Sequence, residues 1–150
     1  MKQTNFSKLM KFVNKSSMAM VYISLILLII ALYLVTRGFG LIHAKMILFG
    51  FLPIFVSGVA QSYSSSSLKA SDKFSITMLI LQISSTIFTL IFGITTVITG
   101  KIIFLLISLL YFGIVNLLTS TRSKGDIRLS ILINRLYWYF VFNIFIFKFI

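Results

Sequence analysis

The chain has 150 residues, 59% of them hydrophobic, with fourteen Lys and Arg against two acidic residues and a formal net charge of +12. With no Cys and a single His, it excludes disulfides, thiol catalysis and Cys-ligated metals. Soluble domains are roughly 45–50% apolar, so the class indicated is an all-α integral membrane protein. The basic residues gather at the ends of apolar runs, where headgroups lie, and so point to anionic lipid as the partner with no nucleic acid.

Residues 1–16 predict an amphipathic helix. Phe6, Leu9, Met10 and Val13 fall at i, i+3, i+4 and i+7, while Lys8, Lys11 and Lys15 line another face. Such a helix is expected to lie in the headgroup plane. A first span follows over 17–36, whose twenty residues cover about 30 Å. Ser17, Ser24, Ala31 and Gly38 recur every seven residues, a seam that lets another helix approach closely. A short loop with His43 and Lys45 leads to a second span over 46–63. It contains the only proline, Pro53, and a kink is expected there. The Ser-rich exit, Ser62 to Ser67, opens a linker, and Ser71 is placed to cap the next helix with Asp72 in its first turn.

The third span, 74–99, carries Ser75, Gln82, Ser85, Thr89, Gly93, Thr96 and Gly100 on one helical stripe. That stripe either packs on protein or lines a pore, and packing is the commoner use. Gly100-Lys101 turns the chain into a fourth span, 102–121, in which Asn116 reaches the depth of Gln82 and Ser85. A hydrogen bond across the hairpin is expected there, with Gln82 also near Thr119. The last segment, 122–150, opens on a basic break and continues as a fifth span or a half-span. Tyr137-Trp138-Tyr139 within it resembles an interfacial aromatic belt.

Ten basic residues (Lys2, Lys8, Lys11, Lys15, Lys69, Lys73, Arg122, Lys124, Arg128 and Arg135) fall on one side of the four spans, and Arg37, Lys45 and Lys101 on the other. The positive-inside rule then places the N-terminus in the cytoplasm, or on the matrix side if the chain is organellar. Lys8, Lys11, Lys15, Arg122, Lys124 and Arg128 are the expected headgroup contacts. The chain has no Glu, its two Asp lie in basic loops, and no metalloprotease, hydrolase or phosphate-loop motif is present. The expectation is a non-enzymatic protein without metal or cofactor, acting on a membrane protein partner or on copies of itself. It would serve as a subunit of a membrane complex or as an immunity-type protein against a membrane-active peptide. In size and composition it resembles the small basic multi-span proteins among bacteriocin immunity factors, and no motif carries that likeness. The alternative is a small oligomeric channel or transporter component lined by Gln82, Ser85, Thr89, Gly93, Thr96 and Asn116.

Overall fold

Apolar runs this long must satisfy their own backbone in lipid, and the helix is the local way to do so. The computed structural model describes residues 2–66, 68–71, 73–122 and 127–149, with side chains over 5–66, 68–71, 73–119 and 135–146. Five helices result: α1 (Lys2–Thr36), α2 (Gly40–Ser66), α3 (Ser75–Thr99), α4 (Ile102–Arg122) and α5 (Ile127–Phe149). Among the described residues, α1 to α4 are long and apolar enough to cross a membrane.

The expected break between an interfacial helix and the first span is absent. α1 runs unbroken for 35 residues, about 52 Å at the helical rise. The reason lies in what covers its first turns. Val13 is fully buried against Leu68, Met78 and Leu79, and Phe6, Leu9 and Met10 pack on the same cluster. The apolar stripe read as lipid-facing therefore meets the α2–α3 linker and the start of α3, while Lys8, Lys11 and Lys15 stay exposed. α1 stops at Gly38, whose φ of +81° suits glycine. The Phe39 N–H bonds to Leu34 O at 3.0 Å and the Gly38 N–H to Val35 O at 3.0 Å, the paired bonds of a Schellman ending.

α2 begins earlier and ends later than the 46–63 expected. Its irregularity is a π-turn over Met46–Phe51, directly before Leu52 and Pro53. A proline at 53 cannot donate to the carbonyl of residue 49 and crowds it, and a widened turn relieves both. Freed of that bond, the Phe49 carbonyl lies 3.8 Å from the Cβ position of Gly93 on α3.

Ser71 does not cap α3. The helix starts at Ser75 after Phe74, without a side-chain cap, and Ser75 Oγ instead donates to Lys69 O at 2.5 Å. Asp72 lies outside the described residues. The linker is tied down as well: Leu68 is buried, and its N–H bonds to Ser65 O at 3.1 Å. At its far end α3 closes on Gly100, φ +72°, whose N–H bonds to Thr96 O at 2.8 Å.

Consecutive helices run antiparallel around a core of Met20, Ile54, Leu105, Leu109, Phe112 and Tyr137. Contacts fix a consistent register between α2 and α3. Gln61 bonds to Thr86, Ile54 lies against Gly93, and Gly50 lies against Val97 and against Leu27 of α1. Gly40 thus lies about eight residues, or about 12 Å, beyond the level where α3 ends. The α1–α2 turn projects past the α3–α4 turn, and at the opposite end α3 extends past α2 alongside the first turns of α1. His43 secures the projecting turn, its Nδ1 2.7 Å from Ala31 O.

Candidate functional site

Where a helix shows small residues, its neighbour's backbone can come close, and polar side chains there can only bond to protein. α1 and α2 meet in this way. Ser17 Oγ donates to Gly58 O at 2.5 Å. A Cβ at Gly58 would lie 3.0 Å from Met20 Cβ and 3.1 Å from Ser17 O. Ser24 and Ala31 of the seven-residue seam are also fully buried, and Gly38 alone of the four is exposed.

The α3 stripe is buried from Ser75 to Thr96, and only its terminal Gly100 is exposed. Gln82, Ser85, Thr89 and Thr96 have no exposed surface, Ser75 has 1%, and Gly93 is buried against Ile54. Gln82 Nε2 donates to Asn116 Oδ1 at 3.2 Å and to Thr119 Oγ1 at 3.0 Å, the contact expected across the α3–α4 hairpin. Asn116 also donates to Phe112 O at 2.9 Å. Ser85 takes no part in that bridge, because its hydroxyl turns back to Gln82 O at 2.8 Å. Thr89 and Thr96 likewise donate to the carbonyls of Ser85 and Phe92 one turn earlier. Such bonds satisfy a hydroxyl locally and leave its methyl group for packing.

A second polar tie joins three helices. Thr86 Oγ1 donates to Gln61 Oε1 at 2.6 Å, and Gln61 Nε2 donates to Ser16 Oγ at 3.3 Å. Gln61 is fully buried. It was missed in the sequence because it falls at the very end of the expected second span, directly before the Ser-rich exit. Its one signal was being an amide inside an apolar run, as Gln82 is. Among the described residues, Gln82 Oε1 and Ser57 Oγ are buried side-chain atoms without a hydrogen bond.

Of the aromatic triplet on α5, Tyr139 is exposed and Trp138 half-buried, whereas Tyr137 turns into the bundle. Tyr137 is 1% exposed, packs on Phe112 at a ring distance of 5.8 Å, and donates its hydroxyl proton to Leu109 O at 2.8 Å, about a third of the way along α4. Gly113 makes room for this: a Cβ there would lie 2.8 Å from Trp138 Cζ2 and 2.9 Å from Tyr137 Cε1. Tyr and Trp carry one polar atom on a large apolar body, so a buried carbonyl partner suits Tyr as well as an interface does.

The expected headgroup residues separate by position. Lys8, Lys11 and Lys15 are exposed on α1, at the end of the bundle that also holds Lys69 and Lys73. Arg122 ends α4 and Arg128 lies in the first turn of α5, both outside the described side chains, while Lys124 lies outside the described residues. Among the described residues no group of His, Asp and Glu is placed to hold a metal ion. No known family model matches this sequence, and comparison with curated proteins and with solved structures found no match.

Proposed function

We propose that this chain is a non-enzymatic, multi-pass membrane protein that acts by contact, either as a subunit of a membrane complex or as an immunity-type factor against a membrane-active peptide. The observation that carries this reading is the closed α3 stripe. The groups that could have lined a water path, Gln82, Ser85, Thr89 and Thr96, are fully buried within a single chain and spent on its own hydrogen bonds. A channel would need them turned to water, so contact is favoured over permeation. The stripe and the α1 seam, both consumed internally, are then not docking faces. A partner meets the large apolar flanks or the charged ends. In this reading α5 is a fifth crossing alongside α4, and the Lys-rich end bearing the N-terminus faces the cytoplasm.

The test is isolation of the tagged protein in mild detergent, with the native mass of what elutes. A stoichiometric second polypeptide supports the reading. A pure homo-oligomer that also passes solutes in liposomes overturns it. Since the chain has no Cys, Thr89→Cys gives a clean second readout. It stays unreactive to water-soluble thiol reagents if the stripe is closed, and rapid labelling would favour the channel.

A further inference from the structure

Between α4 (Ile103, Leu106, Ile107, Leu110) and α5 (Trp138, Phe142) an apolar groove of about 710 Å³ opens on the outside of the bundle. One turn nearer the Lys-rich end, on the same face of α5 as Tyr139 and Phe142, stands Arg135. It is exposed, with no hydrogen bond or ion pair to any described residue. Its level is set by Tyr137 and Trp138, two and three residues away, whose rings close on Gly113 at the middle of α4. The guanidinium therefore starts inside the hydrocarbon layer and must reach toward the phosphates of the leaflet at the Lys-rich end.

We infer that Arg135 and the groove form one binding site for an anionic phospholipid, with the phosphate on Arg135 and an acyl chain in the groove. Two observations select a lipid over a partner helix. Helices associate in membranes through small residues, and this lining is wholly branched or aromatic, with no Gly, Ala or Ser. The small-residue faces of the chain are already consumed at Ser17–Gly58, along the α3 stripe, and at Gly113. The charge selects the headgroup: a lone cation with no acid in any span calls for a phosphate that arrives with its own hydrocarbon. The site rests on α5 lying in the bilayer beside α4 and is independent of any protein partner.

Trp138, the only Trp in the chain, lines the groove and reports its occupancy. The full chain is reconstituted in phosphatidylcholine vesicles, and acyl-brominated phosphatidylglycerol or acyl-brominated phosphatidylcholine is titrated in. High salt screens the diffuse pull of the other lysines. The expected result is quenching by the brominated phosphatidylglycerol at roughly fivefold lower mole fraction, the scale of one basic residue near a headgroup. Arg135→Gln should abolish the preference and Arg135→Lys retain it, while Ile107→Trp, read as native-mass lipid retention, should weaken binding of both lipids. Equal quenching by both lipids in the unaltered chain, or a preference that survives Arg135→Gln, overturns the site. Absence of quenching by either lipid overturns it too, and shows that the failure lies in the placement of α5 in the bilayer.

Discussion

A Cβ at Gly113 would meet ring carbons at 2.8 and 2.9 Å, whereas one at Gly93 would meet Ile54 at an ordinary 3.4 Å. Gly113→Ala should therefore destabilise the detergent-solubilised protein by about 1–3 kcal/mol, the usual cost of overpacking. Gly93→Ala should change little, and thermal unfolding of the two side by side checks the contrast. The Gln82–Asn116 bridge can be weighed by a double-mutant cycle with Gln82→Leu and Asn116→Leu. Its coupling should fall near the ~0.6 kcal/mol average, and below the ~1.7 maximum, measured for hydrogen bonds between membrane helices. A coupling of zero would remove the bridge from any account of hairpin stability. Gln82 and Asn116 were legible in the sequence because an amide in an apolar helix has few places to go. Tyr137 was not, because the same side chain suits a headgroup layer and a buried carbonyl equally.

At the scale of the element, apolar length and the Gly100-Lys101 turn were enough to place α3 and α4 within a residue or so. The ends of α1 and α2 were harder. A run of i, i+3, i+4, i+7 apolar residues does not say whether lipid or protein covers it, and here Leu68, Met78 and Leu79 cover Phe6 to Val13. Ser71 failed as a cap for a related reason: the linker is held by Leu68 and by the bond from Ser75 to Lys69 O, so the helix starts where those ties leave it. The first turns of α1 and α3 should thus behave as one unit. Val13→Ser should raise amide exchange over residues 5–13 and 75–81 together, read by hydrogen-exchange mass spectrometry. Faster exchange in α1 alone would mean that the cluster does not couple them.

For the whole molecule, charge asymmetry gives an orientation that single cysteines can check. Lys69→Cys should react with an impermeant thiol reagent only after the membrane is opened, and Lys101→Cys should react in intact cells. The reverse pattern would invert the topology. The composition made membrane residence legible, but not which helices touch, since that depends on where glycines and hydroxyls meet across the bundle, as at Ser17 and Gly58.

The offset between the two helical hairpins has a consequence for the lipid itself. Tyr33, Phe39, Leu41 and Ile42, in the part that projects about 12 Å past the α3–α4 turn, are exposed and apolar. They favour hydrocarbon at a level where Gly100 and Lys101, on the other flank, already call for headgroups. No flat slab of one thickness suits both flanks, so the surrounding annulus must be tall on one side and pinched on the other. Mismatch of this kind costs fractions of a kcal/mol for each ångström. The protein should therefore tilt, and collect where a membrane is already curved or uneven.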